Sequence, residues 1–385
     1  MDDVDRLKHD LEDGMSLPSS WYTEPGLVPL ECDRIFRRGW QYVPHGQALG
    51  QVGDFVTATV ADVPVVVVRS DKGLGAFVNV CRHRRHEVVT GRGNRRTLQC
   101  PYHAWTYGLD GCLLAAPRSR SEAGFELADY PLLAVAMDAW GPFVFVNLDA
   151  AAPPLAEYLG DLPAIVAASG LRLDQLQLHD REEWRTDANW KVMIENFLEC
   201  YHCPVQHPGF STVVDVDEDT YALQAHRWFS SQVAPVRRSA LEGGGRKPVY
   251  DARGAVTQAQ YHYLWPNLTL SINPGHPNLS VDVWMPDGPE HTRGFSEHWF
   301  GPDVTADARR EMIEFNHQVS QEDERLVTSV QRGLRGGLPA RGRFLRRSEH
   351  LVVHFQRLVL DAMAERSTPR TAGPTPRPGA PIEAP

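Results

Sequence analysis

The period of the hydrophobic positions changes along this chain. Between residues 41 and 150 the apolar residues fall in short β-type runs: FVTATV (55–60), VPVVVV (63–68), GAFVNV (75–80) and PFVFVNL (142–148). Turn residues such as Asp71–Gly73 and Asp110–Gly111 separate some of them, which predicts a small antiparallel β domain. After Asp149 the texture is mixed. Helices are predicted over about 153–169, 188–202 and 306–334, and strands over about 220–233 and 260–300. In the last helix Met312, Phe315, Val319, Leu326, Val330 and Leu334 make one apolar stripe. Residues 1–40 start helical and polar, then turn irregular around Pro18, Pro25 and Pro29. The final nineteen residues hold six prolines and no aromatic, the composition of an extended or disordered tail. Four stretches follow: a segment 1–40 packing on the larger domain, a β domain 41–150, an α+β domain 151–366, and a tail 367–385.

Composition narrows the function classes. Of 385 residues, 42% are hydrophobic and 23% charged, enough to build a real core. Lys and Arg number 39 against 49 Asp and Glu, a formal charge of −10 that argues against nucleic acid and anionic membranes as partners. The acidic start MDDVDRLKHDLEDG has no signal-peptide character. Leu132–Val146 is interrupted by Asp138, Gly141 and Pro142 and falls short of the ~20 apolar residues of a bilayer span. A cytoplasmic protein is expected. Six cysteines are too sparse for a disulfide scaffold, whereas sixteen histidines are a supply of neutral metal ligands.

Four of these residues stand in two tight pairs, Cys81-Arg82-His83 and Cys100-Pro101-Tyr102-His103, with sixteen residues between them. Two thiolates and two imidazoles on two loops suit tetrahedral zinc, or a [2Fe–2S] cluster in which two His replace two Cys on one iron. Structural zinc pairs usually hold one residue type each, and here each pair is mixed. The segment CPYHAWTYGLDG (100–111) resembles the second ligand loop of the Rieske family closely. That resemblance implies Cys81 and Cys100 on one iron and His83 and His103 on the other. The chain departs from the family in one place, with Arg85 where Gly is usual two residues after the first His.

A second constellation lies in NWKVMIENFLECYHCPVQHPGF (189–210), read as a helix broken at Pro204. On a helical wheel Glu195, Glu199 and His202 share a face, which taken alone is an ordinary solvated acidic face. His207 lies just past the break and can curl back toward His202, and two imidazoles with one carboxylate make a non-haem Fe(II) site. Asp323 sits within the apolar stripe of 306–334, with Glu322 to one side. An acid there is costly unless it is paired, as in a buried salt bridge, or binds metal.

The order of these parts resembles the large (alpha) subunit of the Rieske non-haem iron oxygenases, the aromatic-ring-hydroxylating dioxygenase family, over about residues 15–335. RIFRRGWQYVPH (34–45) and GPFVFVNLD (141–149) carry the resemblance together with the two ligand sets. It implies an α+β chain in which a small antiparallel β Rieske domain precedes a larger α+β catalytic domain with a central, helix-grip-like antiparallel sheet. It implies His202, His207 and Asp323 as the iron triad, and Glu199 as the acid bridging to a Rieske His of a neighbouring subunit in a homotrimer. Glu with the string ECYHC (199–203), and Asp323 within QEDERLVTSVQRGL, are more similar to the branch acting on carnitine, glycine betaine and choline.

The expected activity is therefore that of a terminal oxygenase using O2 on a small organic substrate. C–H hydroxylation or N-demethylation of a quaternary amine comes first, with ring dihydroxylation of an arene and simple Rieske electron transfer as the alternatives. Electrons are expected from a flavin/iron–sulfur reductase or ferredoxin. No G-x-G-x-x-G sits on a strand–helix turn, so NAD(P)H is expected to act only through that partner. A cation–π cage would draw on Tyr201, Phe210, Tyr263, Trp265 and Trp284, residue types that serve equally as core. Cys200 and Cys203 are read as packing residues, and Cys32 and Cys112 as core.

Overall fold

The computed structural model describes residues 4–243 and 246–364. The expected Pro-rich tail, 367–385, lies outside the described residues. The chain divides into two compact units, one spanning Phe36–Leu155 and the other joining the N-terminal segment through Ile35 to everything from Ala156 to the last helix.

In the first unit a seven-stranded sheet runs in the order Gln41–Val43, Phe143–Asn147, Ala134–Trp140, Gly73–Val78, Val63–Ser70, Asp54–Val60, Arg92–Asn94. A second sheet of three short strands, Leu98–Gln99, Thr106–Tyr107 and Leu113–Ala115, accompanies it. The run of valines shows why both faces are apolar. Side chains alternate along a strand, so Val66 and Val68 pack in the cluster holding Cys81, Cys100 and Trp105. Val65 and Val67 pack in a separate cluster with Val43, Val56 and Val144.

The second unit is a seven-stranded antiparallel sheet with helices. Its strand order is Gln177–Thr186, Thr292–Phe300, Asn278–Pro286, Leu268–Ile272, Gln258–Leu264, Phe229–Pro235, Ala222–Ala225. The helix Ala306–Gly336 starts where Thr305 Oγ1 accepts from the Ala308 amide at 3.2 Å, and stops at Gly337 with φ +67°. Met312 and Phe315 pack in one cluster with Tyr261, Phe300 and Phe210. The expected stripe drifts toward the helix end: Val327 and Gln331 are buried, while Val330 is 49% exposed.

Three elements differ from the sequence reading. The helix predicted over 188–202 ends at Phe197, and a separate short helix, Cys203–Gln206, follows. The strand Gln177–Thr186, not anticipated, is an edge strand whose charged side chains hide the strand pattern and protect the edge. The helix His350–Ala364 is also new, and its Gln356 ties down the N-terminal segment by accepting from the Leu17 amide at 3.0 Å.

Candidate active site

In the first unit the two ligand loops are copies of one turn. The Arg85 amide donates to the Cys81 carbonyl at 3.0 Å, and the Ala104 amide donates to the Cys100 carbonyl at 3.0 Å. Each turn closes on a left-handed residue, Arg85 at φ +60° and Ala104 at φ +56°. Arg85 thus adopts the conformation that glycine would take without strain. Tyr107, from the small sheet, stands behind the first loop: its hydroxyl lies 3.4 Å from Cys81 Sγ and accepts from the Arg82 amide at 3.0 Å. Cys81 and Cys100 are buried, and burial pushes the Cys100 thiol up. His83 and His103 are exposed, with rings 4.6 Å apart edge to face. Among the described residues, the sets whose ligating atoms all lie within 4.8 Å of one another do not include these four. The arrangement of buried sulfurs and exposed imidazoles fits a two-iron cluster better than one tetrahedral zinc.

In the second unit the break after Phe197 changes the geometry expected from a wheel. Glu199 to His202 form a turn, in which Glu199 Oε2 accepts from the His202 amide at 3.2 Å and also from that of Tyr201. Glu199 Oε1 accepts from His202 Nδ1 at 2.5 Å. His207, at the end of the short helix, donates from Nδ1 to Glu322 Oε2 at 2.7 Å. With both Nδ1 atoms held by carboxylates, both Nε2 lone pairs point at one spot, 3.1 Å apart. Asp323 Oδ1 completes the set, 3.0 Å from His207 Nε2 and 3.5 Å from His202 Nε2. Glu322, off the apolar stripe in the sequence, is the carboxylate that orients His207.

The electrostatics call for a cation at that spot. Burial pulls the His202 imidazolium down, but Asp323 and Glu199 outweigh it and hold it up at about 9. Burial likewise pushes Asp323 up, and the bonds from His202 and His207 overcome this to bring it to about 2. Two imidazoles and one carboxylate converging in this way fit a 2-His-1-carboxylate iron site.

A cavity of about 160 Å³ adjoins these residues and widens into a cleft of about 510 Å³ that shares several of its walls. Phe210 and Trp284 line it as expected, together with Tyr261, Phe315 and Phe197. The other three expected cage residues do not line it. Tyr201 is 62% exposed. Tyr263 shares a strand face with Tyr261 but lies two residues further along, where its hydroxyl donates to Pro266 O at 2.7 Å and its ring meets Phe355. Trp265, beyond the strand end, also packs near Phe355. These three are core or surface.

The polar walls were not read from the sequence. Glu182, Asp282, Ser296, His298, Asn316 and His317 all face the cavity. Their signal was the alternation Ser280-x-Asp282-x-Trp284, polar groups on the helix-covered face of a strand whose Val281 and Val283 are also buried. Burial raises the Asp282 carboxyl to about 6. Cys200 and Cys203, read as packing residues, are joined in a disulfide on either side of His202, although both are also buried in the apolar cluster. Cys112, expected in the core, is exposed, and Cys32 is half-buried.

Both units of the chain match known protein families. Residues 39–131 match the family described as Rieske [2Fe-2S] domain, and residues 173–365 match Ring hydroxylating alpha subunit (catalytic domain). The carnitine monooxygenase oxygenase subunit of Escherichia coli (strain K12) is 33% identical over 362 residues, covering 90% of this chain and 94% of that protein. The chloroplastic choline monooxygenase of Arabidopsis thaliana is 32% identical, covering 87% of this chain and 80% of its own length. A quaternary ammonium Rieske monooxygenase solved with L-carnitine superposes with a TM-score of 0.77 at 30% identity, over 91% of this chain and 96% of that one. The cofactors of such a chain are a [2Fe–2S] cluster and a mononuclear non-haem iron, and the two donor sets fit them. Identity of this level across both units makes the chain an oxidoreductase that belongs to the Rieske non-haem iron oxygenases, as an alpha-type subunit.

Proposed function

We propose that this subunit hydroxylates a C–H bond next to the nitrogen of a small quaternary amine, giving a hemiaminal that collapses to an aldehyde and a tertiary amine. The observation that carries this reading is the cavity beside His202, His207 and Asp323, whose walls combine Phe210, Tyr261, Phe315 and Trp284 with the carboxylates of Glu182 and Asp282. Aromatic faces and carboxylates lining a cavity attract a cation. An arene gains nothing from those carboxylates, which disfavours ring dihydroxylation.

In this reading Cys81 and Cys100 hold one iron of the cluster and His83 and His103 the other, while His202, His207 and Asp323 hold the mononuclear iron. When bound, the cluster supplies electrons and the mononuclear iron supplies the place where O2 is activated. The protein's own groups do the rest. Glu199 and Glu322 fix the His202 and His207 tautomers, and the aromatic walls orient the ammonium group. Glu199 is the acid facing a Rieske His of a neighbouring subunit in a homotrimer. Electrons come from a flavin/iron–sulfur reductase or ferredoxin fed by NAD(P)H, and the enzyme works in the cytoplasm.

The test is turnover of the reconstituted enzyme with N-methylated cations and with arenes, scored by product. Formaldehyde or another aldehyde in step with O2 consumption supports the reading, and cis-diols from arenes alone would sink it. Glu199→Gln should keep both metals and slow turnover; unimpaired turnover removes Glu199 from the mechanism.

A further inference from the structure

One wall of the cavity carries a buried polar atom with nothing to bind. His298 is 3% exposed, and its Nδ1 lies 3.0 Å from Ser280 Oγ. Its Nε2 has no hydrogen-bond partner and sits 3.8 Å from Glu182 Oε1. Leaving such an atom unpaired is costly, so it is a place for a ligand to bond.

The surrounding network assigns the proton. The Tyr261 hydroxyl donates to Asn273 Oδ1 at 2.9 Å, Asn273 Nδ2 donates to Asn316 Oδ1 at 3.1 Å, and Asn316 Nδ2 donates to Ser280 Oγ at 2.9 Å. The Ser280 hydroxyl then gives its own proton to His298 Nδ1. Burial pulls the His298 pKa down, so the ring is neutral and its remaining proton is on Nε2. The cavity wall thus offers one N–H donor beside one carboxylate acceptor. Glu182 is held in place by His317 Nε2 at 2.7 Å.

A hydroxyl oxygen both accepts and donates, and it satisfies both groups at once. A carboxylate only accepts, and it would meet Glu182 and Asp282. Among the described residues no lysine or arginine lines the cavity. Arg185, on the adjoining cleft, is held by Asp287 at 2.7 Å.

We propose that Glu182 and His298 form a hydroxyl subsite, so that this enzyme prefers small quaternary ammonium cations carrying a hydroxyl and no carboxylate. The proposal rests on the quaternary-amine reading above. It separates two chemistries represented among the relatives, a cationic amino alcohol and a zwitterionic amino acid.

The test measures reductant-coupled O2 consumption and aldehyde formation by the reconstituted holoenzyme with four probes. These are choline, ethyltrimethylammonium, glycine betaine and the uncharged isostere 3,3-dimethyl-1-butanol. Choline should exceed ethyltrimethylammonium in kcat/KM by about tenfold, the value of one good hydrogen bond, with glycine betaine below both. His298→Phe, which removes the donor and fills its space, should bring the choline to ethyltrimethylammonium ratio to within about twofold, chiefly through KM. Glu182→Gln serves if that variant does not fold, and it should lower the same ratio. Glycine betaine outrunning choline, or a ratio that neither variant moves, overturns the hydroxyl subsite and leaves the quaternary-amine reading standing. The uncharged alcohol matching choline, or no turnover of any cation, overturns that parent reading and this one with it. A stoichiometric divalent ion retained at Glu182, His298 and His317, lost in His298→Phe, would also overturn it.

Discussion

Lys191 and Glu31 make the strongest stability prediction. Lys191 is 0% exposed and Glu31 1%, and Lys191 Nζ bonds Glu31 Oε1. The other carboxylate oxygen accepts from Trp190 Nε1 at 2.8 Å, and the ammonium lies 5.5 Å from the Tyr22 ring centroid. Lys191→Met keeps the apolar stem but leaves Glu31 as a buried charge without its counter-ion. Breaking such a pair costs about 3–5 kcal/mol, whereas replacing both partners is often neutral. Glu31→Gln with Lys191→Met retains an acceptor for Trp190 and should recover most of the loss. At about 2–4 °C per kcal/mol for a unit of this size, either single variant should melt roughly 6–20 °C lower. The assay is thermal and urea unfolding of the four forms as a double-mutant cycle, expected to show at least about 2 kcal/mol of coupling. Lys191 sits on the helix that leads into Glu199 and His202, so the single variants should also retain less iron. Two small, additive losses would show that the pair does not staple the N-terminal segment.

Three further outcomes are expected. Arg85→Gly should relieve about 1 kcal/mol of left-handed strain and keep the cluster, while Arg85→Val should lose it on mild heating, as followed by visible absorbance and acid-labile sulfide. Glu322→Ala removes the acceptor for His207 Nδ1 and should weaken iron binding by roughly 10–100-fold in a metal titration. Burial raises the Glu195 carboxyl to about 7 from an ordinary 4.5. Its stabilising contribution is therefore full below about pH 4.5 and lost as pH rises through 7, an effect of up to about 3 kcal/mol. Glu195→Gln, whose amide cannot ionise, should flatten that part of the stability profile, and an unchanged slope in chemical unfolding across the window would exclude Glu195 as its source.

The two candidate donor sets were legible because each set is local or breaks a local rule. Cys81 with His83, and Cys100 with His103, are pairs on single turns, and Asp323 is an acid on an apolar stripe. The cavity walls were hidden for the opposite reason. Glu182, Asp282, His298 and His317 come from three strands and a helix, and only the sheet register brings them to one face. A residue's type could not replace its position, so Tyr263 and Trp265 were expected in the cage although Phe355 claims both. The turn at Glu199 was hidden because the helical periodicity continues past Phe197, where the backbone does not.

The helix Ala306–Gly336 contributes both His317 and Asp323 to the lining of the cavity. Six residues at 1.5 Å each fix their separation at about 9 Å along the axis. The helix therefore works as a ruler graduated in whole residues. An inserted or deleted residue between the two marks would turn one of them by about 100° and remove it from the cavity. Reach toward longer or shorter substrates can change in this architecture through side-chain volume on the facing strands, and not by sliding the helix. The spacing of these two lining residues is set by the helix backbone, while the chemical character of the facing walls stays open to single substitutions.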